Sequence, residues 1–357
     1  MPSLNFAELS VWLNCLLFAV TAIGVWWAGS KLSIYVDLIA ERTGLGRAFA
    51  GALLLGGATS LPEIATTVTA SASGAATLAG TNLVGGIAMQ IVVLAVLDAV
   101  VLRRKALTFF SPQAALLMQA AMLIQLLGWF IAANSSGEFF TFAHIGLWPV
   151  LLFAAYLLAL WVIYRYEDRS RWEPAGEVGQ PPESARDLKD VHDQAYAEVS
   201  TKQVGIYFGM AALVVLGCGY LVARLGETLA AQTGIGQGIV GATLVALVTS
   251  LPEVSTTWSA FRFGAYNMAT ANILGTNCLT LALFLPADLA YRKGPIIDAL
   301  GPSASFLAAL GIMTTSIYLW GVLERRDRTV FGMGIDSAVV LVLYVVGLVI
   351  YASISQS

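Results

Sequence analysis

Charge is scarce in this chain of 357 residues: Asp, Glu, Lys and Arg together make up 11%, against about 25% in an ordinary soluble domain. Set beside 58% hydrophobic residues, that deficit excludes a water-soluble enzyme and a disordered chain. A net charge of -3 with no basic tract excludes a nucleic-acid binder. The three cysteines, Cys15, Cys218 and Cys278, are odd in number and irregular in spacing, so no disulfide framework is expected. The two histidines, His144 and His192, form no HExxH string and lie outside the middle of any apolar run, which excludes a zinc hydrolase built in the membrane. No basic residue precedes the first apolar run, so a cleaved leader is not expected.

What is abundant is apolar sequence in long runs. A helix crosses a hydrocarbon core with about 20 such residues, and ten runs meet that length: 9–27, 48–70, 78–102, 110–132, 145–164, 204–223, 239–261, 268–290, 300–322 and 335–352. The expected fold is therefore an all-α polytopic membrane protein. A polar loop at 165–202 separates a first transmembrane half, 1–164, from a second, 203–357. With ten spans, every lysine and arginine except Arg224, Arg292 and Lys293 falls on one side. The positive-inside rule then puts the central loop in the cytoplasm and both chain ends outside it, in a plasma (inner) membrane. The loop itself reads as a solvated linker.

The halves repeat each other. Thr-Ser-Leu-Pro-Glu occurs at Thr59–Glu63 and again at Thr249–Glu253, an offset of 190 residues. At the same offset Thr66-Thr67 meets Thr256-Thr257, Asn82 meets Asn272, Gly85 meets Gly275 and Asp98 meets Asp288. The repeat thus covers about 43–98 and 233–288. Its motif helices are the second and seventh spans, five apart, so they cross in opposite senses. Two inverted five-helix repeats follow, an architecture in which secondary transporters place the substrate at the midplane.

Glu63 and Glu253 fall in mid-span, where a carboxylate costs about 2.5–3.5 kcal/mol and is functional by default. No Lys or Arg lies in mid-span to neutralise them. A bound cation or a proton has to do so. Pro62 and Pro252 lack an N–H, so each breaks its helix and releases carbonyls four residues back; those at Gly56, Ala58, Ala246 and Val248 are candidate ligands. Thr59 and Thr249 share a face with their glutamates, with Ser60 and Ser250 alongside. In the next helices Asn82, Gly86 and Gln90, and Asn272, Thr276 and Thr280, recur every four residues and face the bundle interior. For the two asparagines, interhelical bonding and ligand support are equally good readings. Asp98 and Asp288, at helix ends, read as solvated charges. Such an all-oxygen set suits Ca2+, which takes 6–8 oxygen ligands, and two carboxylates balance one Ca2+ or two monovalent cations. An empty, doubly charged site would be costly to carry through an occluded state, which favours exchange over simple flux. A channel would need a pore built from a ring of subunits.

At these residues the chain resembles the cation/calcium antiporter superfamily, and most closely its sodium/calcium exchanger membrane-region proteins. That family carries two inverted repeats with a Gly-Thr-Ser-x-Pro-Glu core and a later Gly-Asn-x-x-Gly-Ser-Asn segment. Here the cores read Ala58-Thr59-Ser60-Leu61-Pro62-Glu63 and Val248-Thr249-Ser250-Leu251-Pro252-Glu253; the later segments run from Thr81 to Gly86 and from Ala271 to Asn277. The resemblance implies that Glu63 and Glu253 ligate both competing cations. It also implies that Thr59, Ser60, Thr249, Ser250 and Thr276 complete sodium sites with carbonyls near Gly56 and Ala246. The first and sixth spans would slide across a rigid core. No cofactor is implied beyond the transported ions, and the partners are small inorganic cations and the lipid bilayer. This chain departs from the pattern at Gly86, where a serine is usual, and at Gln90 and Thr280, where Asn or Asp is usual. Exchange of Ca2+ for Na+ is the expected activity, with H+-coupled or K+-linked exchange left open by those departures.

Overall fold

Backbone exposed to lipid has no water to bond, so apolar runs must close their hydrogen bonds within themselves. The computed structural model, which describes residues 6–43, 56–102, 106–110, 113–167, 199–262, 266–324, 328–330 and 332–355, meets that demand almost wholly with helices. In chain order the first half holds α1 (Val11–Thr43), α2 (Gly56–Thr59), α3 (Leu61–Ser73), α4 (Ala76–Leu97) and α5 (Ala114–Ser136). An antiparallel hairpin of β1 (Thr141–Phe142) and β2 (Ile145–Gly146) then leads into α6 (Leu147–Glu167). The second half holds α7 (Thr201–Thr233), α8 (Gln237–Val240), α9 (Ala246–Thr249), α10 (Leu251–Arg262), α11 (Tyr266–Ala282), α12 (Phe284–Ala290) and α13 (Pro302–Glu324). A second hairpin, β3 (Thr329–Val330) with β4 (Met333–Gly334), leads into α14 (Ile335–Ser355).

Among the described residues seven helices are long and apolar enough to cross a membrane, and the bent pair 237–249 and 251–261 makes an eighth. The expected span 48–70 falls partly outside the described residues; the expected span 145–164 is the 21-residue α6. The likeness of the halves reaches well past the motif. Helices α1 and α7 each have 33 residues, α5 and α13 each 23, and α6 and α14 each 21. The offset is 190 at the starts of α1 and α7, Val11 to Thr201, but 188 at the starts of α5 and α13, Ala114 to Pro302.

Helices α4 and α11 are the most enclosed. Leu78, Leu83, Ile87, Ile91 and Leu94 of the first, and Ile273, Leu274 and Leu281 of the second, are buried. The long helices α1 and α7 lie against each other at the periphery, with Trp12, Ile23, Trp27, Met210 and Leu213 on their outer faces. Each also packs on the motif helix of the opposite half, at a glycine that permits close approach. A Cβ at Gly219 of α7 would stand 2.6 Å from Ala65 Cβ and 3.1 Å from the Pro62 carbonyl oxygen. One at Gly29 of α1 would collide with the Pro252 ring.

Asp98 and Asp288 are not the solvated helix-end charges that their positions suggested: both are fully buried. The Leu107 N–H donates to Asp98 Oδ1 at 3.0 Å, while the Gly334 N–H and Ser337 Oγ donate to Oδ2 at 2.8 and 2.6 Å. For Asp288, the Ile296 N–H donates to Oδ1 at 2.6 Å and the Gly146 N–H to Oδ2 at 2.7 Å. Each aspartate of one half therefore holds the β-hairpin of the other. Buried N–H groups need an acceptor, and a carboxylate with two oxygens can serve two segments at once. Beside Asp288, Glu138 caps α6, accepting from the Leu147 and Trp148 N–H groups at 2.8 and 2.9 Å.

Candidate cation site

The two glutamates lie where their helices break. Ser60 adopts φ −81°, ψ 3° between α2 and α3, and Ser250 adopts φ −84°, ψ 2° between α9 and α10. Proline two residues later removes one helical N–H, so the Ala58 and Val248 carbonyls have no donor four residues on. Helix resumes at once, the Ile64 N–H donating to Ser60 O at 2.9 Å and the Val254 N–H to Ser250 O at 3.0 Å. In the second half the axis turns by 47° across the break. Glu63 and Glu253 thus stand in the first turn of a new helix, at its partially positive end.

Their surroundings leave the carboxylates unanswered. Glu63 is 3% exposed and Glu253 0%, and none of their four carboxylate oxygens has a hydrogen-bond partner. They are close enough to act on each other electrostatically. No Lys or Arg occurs anywhere in 56–102, 225–261 or 266–291. Among the described residues no cluster of three or more His, Cys, Asp or Glu could hold a metal ion. The donor set is two carboxylates and neutral oxygens, which excludes the imidazole and thiolate ligands that transition metals prefer.

The neutral residues divide into those already bonded and those still free. Thr59 stands beside Glu253 with its hydroxyl turned onto the Gly56 carbonyl at 3.2 Å. Thr249 donates within reach of both the Ala246 carbonyl, at 3.3 Å, and Asn82 Oδ1, at 3.2 Å. The Gly56 and Ala246 carbonyls also accept helical N–H groups from Ser60 and Ser250, so both lone pairs of each are engaged. Of the four expected carbonyls, those of Ala58 and Val248 are the ones that proline deprives of a helical donor. Asn82 and Asn272 hold neighbouring helices together: Asn82 Nδ2 donates to Thr67 Oγ1 at 3.4 Å, and Asn272 Nδ2 to Thr256 and Thr257 Oγ1 at 3.0 and 3.4 Å. Gln90 Nε2 donates to Ser250 Oγ at 3.2 Å, and Thr280 donates to the Thr276 carbonyl of its own helix at 2.9 Å. Ser60 Oγ, Thr276 Oγ1 and Gln90 Oε1 are buried without partners. So is Oδ1 of Asn277, whose Nδ2 donates to the Ile87 carbonyl at 3.3 Å. Sequence reasoning passed over Asn277, although a polar side chain next to Thr276 in an apolar helix was the signal available.

Over residues 13–164 and 204–352 the chain matches the family model described as "Sodium/calcium exchanger protein". It belongs to that family. That family is one of membrane transporters and not of enzymes. Among curated proteins it is 26% identical over 131 residues to the "Putative antiporter CaxA" of Alkalimonas amylolytica, covering 36% of this chain and 41% of that one. It is 39% identical over 74 residues to the "Sodium/calcium exchanger MaX1" of Methanosarcina acetivorans, covering 21% of each. The matched stretches thus span less than half the length of these relatives. Its fold is similar to that of the sodium-calcium exchanger NCX_Mj, with a TM-score of 0.61 and 16% identity over 95% of this chain and 99% of that one. It is also similar to that of the H+/Ca2+ exchanger CAX, with a TM-score of 0.65 and 12% identity over 96% and 85%.

Proposed function

We propose that this protein exchanges Ca2+ for Na+ across the membrane by alternating access, with Glu63 and Glu253 as the shared ligands. The observation that carries this reading is the set of four buried carboxylate oxygens without a hydrogen-bond partner, in segments 56–102 and 225–261 that contain no Lys or Arg. An isolated buried carboxylate is too costly to leave unpaired, so a positive partner has to enter. One Ca2+ neutralises both carboxylates, and it would gain further oxygens from Ser60 and Thr276, with the Ala58 and Val248 carbonyls beside the breaks. Release of Ca2+ would restore two unpaired charges. Return of the site through the occluded state therefore calls for a counter-ion, and coupling follows from that requirement.

The ten-span, inverted reading belongs to the same proposal. Five spans per half would make the second motif helix cross opposite to the first, which lets one site open alternately to either side. Helices α1 and α7, peripheral and seated on the motif helices at Gly29 and Gly219, are suited to move over that core. A second reading, Ca2+/H+ exchange, is favoured by Gly86, which brings no side-chain oxygen, and by Gln90, whose amide engages Ser250.

The test is Ca2+ uptake into proteoliposomes under an outward Na+, H+ or K+ gradient. Uptake driven by Na+ supports the main reading, and uptake driven only by a pH gradient supports the second. No gradient-driven Ca2+ movement refutes both.

A further inference from the structure

The broken span that carries Glu253 begins, well away from the glutamates, at a pocket that the antiport reading does not use. Thr77, Gln237, Gly238, Ser303, Tyr351 and Ser355 line it, around a cavity of about 240 Å³. Four helices meet there by one end each: α4, α8 and α13 by their starts, and α14 by its last turn. Helix α8 continues through a π-helical turn at Gly241–Val245 into α9, so its start is the start of one helical run over 237–249.

Three helix starts give the pocket a surplus of donors. The first N–H groups of a helix have no acceptor within it, and no side chain caps α4 or α8. The first bonds of these two helices run from the Ala79 N–H to Ala75 O and from the Val240 N–H to Gly236 O. The N–H groups of residues 76–78 and 237–239 therefore lie ahead of the helical ladder. Each start also carries the partial positive charge of its helix. The Thr77 and Ser303 hydroxyls and the Gln237 amide can donate as well.

An independent feature points the same way. Tyr351 is 1% exposed, and its hydroxyl is buried without a hydrogen-bond partner. It is aimed at the start of α8: a Cβ on Gly238 would stand 2.6 Å from the hydroxyl oxygen and 3.8 Å from Thr77 Cγ2. Ser303 stands beside it without closing a bond. A buried phenol normally finds a partner. This one faces further donors, so the group it lacks is an acceptor.

We propose that this pocket binds a phosphate group, supplied by a phospholipid headgroup or by free phosphate. Helix starts hold phosphate through their N–H groups and dipoles, which suits a pocket lined by no basic residue. The phosphate oxygens accept from those N–H groups and from Tyr351. Ser355 belongs to the last turn of α14, whose carbonyls accept; a proton on the phosphate, or the ammonium group of an ethanolamine headgroup, serves them. The pocket lies at the ends of apolar helices long enough to span a membrane, at a level that both headgroups and aqueous solutes reach.

Phosphorus NMR on the purified full-length protein, in a phosphorus-free detergent, reads both sources. Inorganic phosphate and dihexanoylphosphatidylethanolamine are titrated separately into the wild type, Gln237→Glu and Tyr351→Phe. The expected result is a saturable shift or broadening of at least one probe with the wild type. Its Kd should rise about tenfold in Gln237→Glu, which brings a negative charge to the helix starts, and about tenfold in Tyr351→Phe, which removes one hydrogen bond to a charged group. Saturation by phosphate alone assigns the site to the free ion, and saturation by the lipid alone assigns it to the headgroup. Binding of neither probe overturns the proposal. So does a wild-type Kd in either variant that elutes as a folded, monodisperse protein, and one such variant suffices if the other does not fold.

Discussion

Replacing Asp288 with Ala removes the acceptor for two buried backbone donors, Ile296 N–H at 2.6 Å and Gly146 N–H at 2.7 Å. The methyl group cannot replace either bond, and the enclosure that makes Asp288 0% exposed keeps water from doing so readily. An unsatisfied buried donor costs about 1–3 kcal/mol, so Asp288→Ala should destabilise the protein by about 2–6 kcal/mol. Asp98→Ala should cost as much for Leu107 and Gly334 and about 1 kcal/mol more for Ser337 Oγ, which donates to it at 2.6 Å. For a chain of this size 1 kcal/mol moves Tm by about 1–2 °C, which puts the expected fall at about 2–12 °C. Thermal unfolding of the detergent-solubilised protein can be followed through its 9 tryptophans. Because the two aspartates share no donor, the double variant should show nearly additive losses. If these were solvated charges, each substitution would stay within about 0.5 kcal/mol, and a Tm unchanged in both single variants would refute the reasoning.

Further outcomes follow from other contacts. Gly219→Ala drives a methyl group toward Ala65 Cβ and the Pro62 carbonyl, and should cost about 1–3 kcal/mol through overpacking; its Tm and its Ca2+ flux should both fall. Asn272→Leu loses bonds to Thr256 and Thr257 and should lower stability by about 0.6–2 kcal/mol, measured by the same melt. Glu138→Ala uncaps α6 at Leu147 and Trp148 and should cost about 0.5–2 kcal/mol. Its melt should show that loss while Ca2+ binding at the glutamates persists.

The first part of the repeat was legible because polar and special residues mark it. Thr-Ser-Leu-Pro-Glu, the paired asparagines and the glycines would be expensive in an apolar helix without a reason, so their recurrence at one offset stands out. The helix breaks were legible from Pro62 and Pro252 for the same physical cause. The later helices α5, α6, α13 and α14 are mostly apolar, and their offset drops to 188, so no shared polar string announced the match. The roles of Asp98 and Asp288 were hidden for a different reason. Their main partners, Gly334 and Gly146, lie in the opposite half, and no local pattern says which N–H a carboxylate will meet. The short hairpins that carry those N–H groups have two residues per strand, too few for an alternating pattern. At the site itself residue identities were readable, but their bonding states were not: that Gln90 is bonded to Ser250 while Ser60 is free depends on how side chains of opposite halves meet.

Equilibrium binding of radioactive Ca2+ to the purified protein and to Glu63→Gln and Glu253→Gln tests the central claim most directly. The expected result is saturable binding to the wild type that is lost in each variant, because either substitution leaves one negative charge where two are needed. Binding of Ca2+ to both variants with wild-type affinity would contradict the claim that these two glutamates hold the transported cation.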